Sequence, residues 1–199
     1  MKQFIVAGIG TEIGKTVISA ILTAGLKADY WKPVQAGDLD QGDAYWIRKW
    51  VPSAVVHPST YGLTQPMSPH SAAEIDGLTI ELEAFKIPTS NSLIVELAGG
   101  IMVPLNDKQT NVDLIKHLNL PVILVSKNYL GSLNHTLLSY EILKQHGVPM
   151  AGIVFNGPEN PSGEKFILNH TGLPLILRVN TESEINEAVI ASYASKIDV

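Results

Sequence analysis

The stretch from Phe4 to Thr16, Phe-Ile-Val-Ala-Gly-Ile-Gly-Thr-Glu-Ile-Gly-Lys-Thr, constrains this chain more than any other. Its apolar start predicts a strand, Gly8, Gly10 and Gly14 predict a tight loop, and the segment from Val17 to Lys27 after Lys15-Thr16 predicts an amphipathic helix. Strand, glycine loop and helix start together make an anion cradle. Backbone N–H groups and the positive helix end face the anion, a lysine reaches the outer phosphates, and a hydroxyl can ligate magnesium. Nucleotide binding is therefore the first expectation, set against an ordinary strand-turn-helix corner. The strict template places a glycine five positions before Gly14, where this chain has Ile9.

The rest of the chain alternates strands with helices. A short second strand is expected at Lys32-Pro33-Val34, then a glycine-rich loop from Ala36 to Gly42 and a helix from Asp43 to Trp50. The segment from Val51 to Gly77, with Pro52, Pro58, Pro66 and Pro69, is expected to be mostly loop, and residues 78–87 a weak helix. Further strands are expected at Ser92–Glu96, Pro121–Val125, Met150–Phe155 and Pro174–Leu177. Helices are expected at Asn111–Leu118, Leu133–His146, Gly163–His170 and Glu184–Ala194. Strands apolar on both faces imply a mostly parallel sheet covered by helices on both sides, a three-layer α/β fold. Ligands of such sheets bind beyond the carboxyl ends of the strands. The loops after Ala7, Lys32, Val95, Val125 and Phe155 should thus share one rim. No repeat or linker divides residues 1–199, so a single domain is expected.

Composition narrows the partners. A formal charge of -5 with 14 scattered Lys and Arg leaves no basic stripe for nucleic acid or an anionic membrane. With no cysteine there is no disulfide framework, thiolate zinc site or cysteine nucleophile. No apolar run approaches the ~20 residues that span a bilayer, and the run after Lys2 is too short for a signal peptide, so a cytoplasmic protein is expected.

The chemistry-bearing residues gather on the expected rim. Four apolar residues ending in Glu96 resemble the second acidic element of P-loop nucleotide enzymes. Thr16, Asp43 and Glu96 would supply oxygen ligands for magnesium, although Asp43 alone could be a helix cap and Glu96 alone a solvated strand end. Lys32, just before a proline, would set a cation near a transferred phosphoryl group or a substrate carboxylate; its plain alternative is a surface lysine. The six histidines show no paired metal spacing, and His57, His117, His146 and His170 are expected at the surface or at caps. Leu137, Leu138, Ile142 and Leu143 fit core or a subunit interface.

Gly-x-x-Thr-Glu-x-Gly-Lys-Thr at 8–16, Lys32-Pro33-Val34, Gly42-Asp43-Ala44, and Ser68-Pro69-His70 followed by Ala72 and Ala73 together resemble the dethiobiotin synthetase family. Glu96-Leu97-Ala98-Gly99-Gly100 is similar to the family's Glu-Gly-Ala-Gly-Gly, and Leu130-Gly131-Ser132-Leu133-Asn134-His135 to its Leu-Gly-x-Ile-Asn-His. The family spacing between the outer glycines accounts for the misfit to the strict template. The motifs run in family order from residue 1 to about residue 157.

The resemblance implies a P-loop NTPase-like homodimer that uses ATP, magnesium, carbon dioxide or bicarbonate, and 7,8-diaminononanoate. One amine would form a carbamate, ATP would phosphorylate it, and the second amine would close a cyclic urea. By correspondence, Glu12, Ile13, Gly14, Lys15, Thr16 and Val17 would line the phosphates, with Leu97, Ala98 and Gly99 beside them and Asn156-Gly157 at adenine. Thr11, Lys32, Ala36 and Ser68 would approach the diamine, with Lys15, Lys32 and Thr11 carrying catalysis. Asn134 and the backbone of Gly131, Ser132 and Leu133 would receive the substrate's carboxylate from the other subunit.

Departures from the family stand at Gly10, where Asp is frequent, and at Ala36, where Ser or Thr is. Arg178-Val179-Asn180 lacks the family's proline-containing pattern at the base site. The competing readings are a partitioning-type ATPase, whose extra loop lysine would replace Gly10, and a nucleotide-binding interaction module without turnover. The absent lysine argues against the first, and the presence of Lys15, Thr16 and Glu96 against the second.

Overall fold

The computed structural model describes residues 2–198. In chain order the elements are β1 (Lys2–Gly8), α1 (Lys15–Leu26), β2 (Asp29–Trp31), β3 (Val34–Ala36), α2 (Asp43–Trp50), β4 (Val56–His57), β5 (Tyr61–Leu63) and α3 (Pro69–Ile75). A 3-10 turn at Leu82–Ala84 follows. The chain continues with β6 (Ser92–Gly100), α4 (Asn111–Leu118), β7 (Val122–Lys127), α5 (Ser132–Gln145), β8 (Met150–Asn156), α6 (Pro161–Thr171), β9 (Leu175–Val179) and α7 (Glu187–Ala194).

Seven strands form one sheet in the order β4-β2-β6-β1-β7-β8-β9, and every ladder in it is parallel. Side chains of a strand alternate between faces, and here both faces are apolar. Ile5 and Ala7 of β1 enter one core with Leu93 and Val95, under α3, α4, α5 and α6. Val6 enters the other with Ile94, against Ile18, Ile21 and Leu22 of α1, Ile47 of α2 and Ile190 of α7. Each fully buried Val, Leu or Ile among them contributes about 1.5–3 kcal/mol relative to exposure. These two cores fix which side chains can reach the rim, and from which face. Among the described residues, no helix is long and apolar enough to cross a membrane.

The strand order reverses around β1. From it the chain goes out to β2 and β4, returns to pair β6 beside β1, then builds β7, β8 and β9 on the other side. That reversal places the crevice for a ligand at the carboxyl end of β1.

Several expected elements differ. Lys32 and Pro33 do not form a strand but join β2 to β3, because the chain leaves the main sheet there. Trp31 is the last residue of β2 paired to β6, and Val34–Ala36 pairs instead with β5 in a separate two-stranded ladder. The segment 51–77 is mostly loop, as expected, although β4, β5 and α3 occupy 12 of its 27 residues. Its prolines punctuate those elements, with Pro69 in the first turn of α3, where a missing N–H costs nothing. Residues 78–87 form only the 3-10 turn, with Ile80, Leu82 and Phe85 buried at a spacing too irregular for one helix face. Strand β6 runs on past Glu96 to Gly100, held by Gly100 opposite Gly8 after a register shift. His57 is a half-buried β4 residue whose ring nitrogen lies 2.9 Å from the Asp29 carboxylate.

Candidate active site at the strand ends

The glycine loop carries β1 into α1. Gly14 precedes the helix with φ 89°, and Glu12 also has a positive φ of 57°. Alternating handedness of this kind turns successive N–H groups toward one concavity. Gly8 is needed for close packing, because a Cβ there would lie 2.5 Å from Ile13 Cδ1. Gly10 is not, since nothing lies within 4 Å of such a Cβ. The aspartate frequent at this position in the resembled family therefore meets no steric obstacle.

A charged cluster fills the α1 side of the rim. Register explains it: Tyr30 lies opposite Ile94 and Trp31 opposite Val95, so Lys32 follows beside Glu96, and Val6 faces Glu96 from β1. Lys32 Nζ lies 2.7 Å from Asp43 and 3.2 Å from Glu96. The Thr16 hydroxyl donates to a Glu96 oxygen at 3.0 Å and contacts Asp43. Tyr30 donates its hydroxyl to the other Glu96 oxygen at 3.0 Å. Glu96 is 1% exposed and Lys32 6%, so both charges are removed from water and depend on these partners. Lys32 is thereby a buried ion-pair residue and not a solvated surface lysine.

The ionisations follow from this packing. Burial alone would favour neutral Lys32, but Glu96 and then Asp43 raise it above the ordinary lysine value. Burial would raise Asp43, but Lys32 foremost and then the Thr16 hydroxyl and Lys15 hold it below the ordinary aspartate range. Burial pushes the Tyr30 phenol well up, and Glu96 adds to it. Lys15 is different: burial lowers it to about 8, opposed by Glu96, assisted by Lys32 and opposed again by Asp43. Its ammonium donates to Gly10 O at 2.8 Å, a neutral carbonyl where Lys32 has carboxylates.

The other expected site residues occupy two further places. Thr11 is exposed in the glycine loop, with its hydroxyl 3.6 Å from where a Gly99 Cβ would sit. Leu97, Ala98 and Gly99 lie on the β6 extension, which Asn111 secures by donating to Ala98 O and Gly100 O at 2.7 and 2.8 Å. Val17 is half-buried on α1. Asn156 ends β8 and donates to Ile13 O at 2.8 Å. Gly157 takes φ 87°, and its carbonyl accepts from Arg178.

Ala36 ends β3, and Ser68 precedes α3 in a separate cluster, donating to Ser71, whose hydroxyl meets the His70 ring at 3.2 Å. Gly131, at φ 99°, enters α5, where Ser132 is buried, Leu133 half-buried and Asn134 exposed. Leu137 and Ile142 are half-buried on α5, Leu143 is in the core and Leu138 is exposed.

Tyr30, Lys127 and Tyr129, which no motif marks, also lie at the site, as does His135, the last residue of the Leu130–His135 motif. Tyr30 was accessible in principle, because it stands two residues before Lys32 and so shares its face of the strand. Lys127 ends an apolar strand on the expected rim, and its amine donates to Glu12 O at 3.2 Å. Tyr129 and His135, 2.7 Å apart, line a hollow of about 440 Å³ with Gly10, Thr11 and Lys127.

Thr16, Asp43 and Glu96 fit a magnesium ion by their chemistry, two carboxylates and a hydroxyl converging at a phosphate cradle. Their excess negative charge is met here by Lys32.

Comparison with known proteins adds a lineage to this geometry. A family model described as an AAA domain matches residues 2–189. The chain is 48% identical over 201 residues to the ATP-dependent dethiobiotin synthetase BioD of Cytophaga hutchinsonii, covering 99% of this chain and 97% of that protein. It is also 48% identical to the protein of the same name from Christiangramia forsetii, over 98% and 95% of the two chains. Among solved structures, a ParA family ATPase from Chlorobium tepidum superposes with TM-score 0.59 at 15% identity, over 98% of this chain and 91% of that one. The Aquifex aeolicus MinC:MinD complex matches with TM-score 0.62 at 11% identity, over 98% and 93%. Those structures share the fold, a P-loop α/β architecture. The sequence relatives, matched along nearly their whole length, assign the lineage within it: this chain belongs to the ATP-dependent dethiobiotin synthetase family.

Proposed function

We propose that the chain is an ATP-dependent cyclo-ligase that converts 7,8-diaminononanoate and carbon dioxide to dethiobiotin. One amine adds to carbon dioxide and loses a proton, giving a carbamate. A carbamate oxygen attacks the γ-phosphorus of ATP, releasing ADP and leaving a carbamic-phosphoric anhydride. The second amine attacks the anhydride carbonyl, expels phosphate and loses a proton, closing the five-membered urea.

The observation that carries this reading is the meeting of Lys15, Lys32, Asp43 and Glu96 around Thr16 at the glycine loop. A free alkylamine, with a value of roughly 10.4, is mostly ammonium near neutrality and cannot add to carbon dioxide. Lys15 and Lys32 beside it disfavour the ammonium and favour the anionic carbamate. The same cations then face the transferred phosphoryl group, where positioning and electrostatics suffice and no protein nucleophile is required. Thr16, Asp43 and Glu96 would hold magnesium, which neutralises triphosphate charge when bound.

Glu12 to Val17, with Leu97, Ala98 and Gly99, are assigned to the phosphates, and Asn156 and Gly157 to adenine. Thr11, Lys32, Ala36 and Ser68 are assigned to the diamine. Gly131, Ser132, Leu133 and Asn134 of a second copy are assigned to its carboxylate, which makes the working unit a homodimer.

The test is product formation by purified protein. ADP and a cyclic urea should appear in equal amounts, and only when diamine and bicarbonate are both supplied. Vigorous ATP hydrolysis indifferent to the diamine would overturn the proposal in favour of a partitioning-type ATPase, and nucleotide binding with no turnover would favour an interaction module.

A further inference from the structure

We infer that Lys127 is a positioning residue that clamps the glycine loop together with Asn156; the inference rests on the nucleotide site of the proposed function. The two residues are register partners at the ends of β7 and β8. Their side chains grip consecutive carbonyls of the loop: Lys127 Nζ donates to Glu12 O at 3.2 Å and Asn156 Nδ2 to Ile13 O at 2.8 Å. With these carbonyls held toward β7 and β8, the N–H groups of the loop are left to face the concavity.

Two features of the loop fit such a clamp. Glu12 takes φ 57°, a conformation that glycine adopts freely and other residues hold only when their surroundings impose it. Gly14 leaves room for Asn156, because a Cβ there would lie 2.2 Å from Asn156 Nδ2. Among the described residues, no carboxylate lies within salt-bridge distance of Lys127. Its charge is thus directed to a backbone carbonyl, and an ammonium donor makes that bond stronger than a neutral one would.

The test is the affinity for MgATP, measured by calorimetry without diamine, for Lys127→Met and Lys127→Arg in the wild-type and Glu12→Gly backgrounds. Lys127→Met should weaken binding about tenfold, as loss of one charge-assisted hydrogen bond does, and Lys127→Arg should restore it to within about twofold. With glycine at position 12 the strained backbone relaxes, so Lys127→Met should then cost less than about twofold. In steady state the loss should fall mainly on the KM for MgATP, with a smaller effect on kcat, and Lys127→Arg should restore it. Undiminished affinity in Lys127→Met would overturn the inference, as would a full loss persisting in the Glu12→Gly background, which would mean that Lys127 touches the nucleotide itself. Wild-type protein that binds no MgATP would overturn both readings. Wild-type protein that binds MgATP yet makes no cyclic urea would overturn the proposed function alone.

Discussion

At the rim of β1 and β6, Lys15, Lys32 and Glu96 are buried and each polar tip has a partner within the chain, whereas at the entrance to α5, Tyr129, Leu130 and Asn134 face solvent. The first region is held by contacts within the chain, and the sheet register aims its charges. The second presents a glycine turn, a fully exposed leucine and an uncapped helix start. The contrast fits the division of labour proposed above, in which one chain would supply the phosphate chemistry and a second copy would complete the substrate-tail site.

If that division holds, damage to the first region should abolish turnover and damage to the second should only weaken substrate capture. The largest effect is expected for Lys15→Ala. Removing a preorganised donor to the transferred phosphoryl group should lower kcat about 10²–10³-fold. Near-normal turnover would remove Lys15 from the chemistry. Glu96→Ala comes next and acts on stability. It leaves Lys32 with Asp43 alone and Tyr30 without its acceptor, so chemical denaturation should show a loss of about 3 kcal/mol, the low end for breaking a buried pair. A loss within error would mean that the buried cluster is not coupled as its distances imply.

Asn134→Ala should be milder, raising the apparent diamine KM about tenfold while nucleotide affinity stays within about twofold. Equal weakening of both would erase the distinction between the two regions. The smallest effect is expected for Gly10→Ala, where open space around the added Cβ predicts a stability change within about 0.5 kcal/mol by thermal melting. A larger loss would show that the loop's conformation, and not its packing, requires glycine there.

The pH dependence separates the two lysines of the first region. Lys15 sits at about 8 in the folded chain, below its unfolded value of roughly 10.4, so between those values the unfolded chain holds the extra proton. Its contribution to stability therefore rises with pH across that window. Lys32 is raised when folded, so its contribution is complete below the unfolded lysine value and is lost as pH climbs through the folded one. Asp43 is depressed, and its contribution is lost as pH falls through its folded value. Nucleotide phosphates beside Lys15 should restore its proton. Calorimetry in buffers of different ionisation enthalpy, at about pH 8.5, should show proton uptake on MgATP binding, and Lys15→Ala should abolish it.

Much of the first region was legible in the sequence because it obeys local rules. The glycine loop, the apolar strands and the acid after Val95 are periodic or contiguous signals, and the parallel-sheet rule places their ends on one rim. Tyr30, Asn111 and Lys127 escaped because their partners are distant in sequence: Tyr30 meets Glu96 across 66 positions and Lys127 meets Glu12 across 115. Only strand order brings such pairs together.

Within the mostly loop segment from Val51 to Gly77, the short elements were hidden for a different reason. Pro52 separates α2 from β4, Pro58 β4 from β5 and Pro66 β5 from α3, whereas Pro69 does not break structure but starts α3. The weak helix expected over 78–87 reduces to a single 3-10 turn, because Leu82 and Phe85 are buried against α4 and β5.

The most direct measurement follows oxygen from carbon dioxide. In a single turnover with 18O-labelled carbon dioxide and unlabelled water, carbamate attack on the γ-phosphorus should leave one labelled oxygen in the released phosphate and the other in the urea carbonyl. Phosphate whose new oxygen comes from water would contradict the account and make this rim a site of ATP hydrolysis.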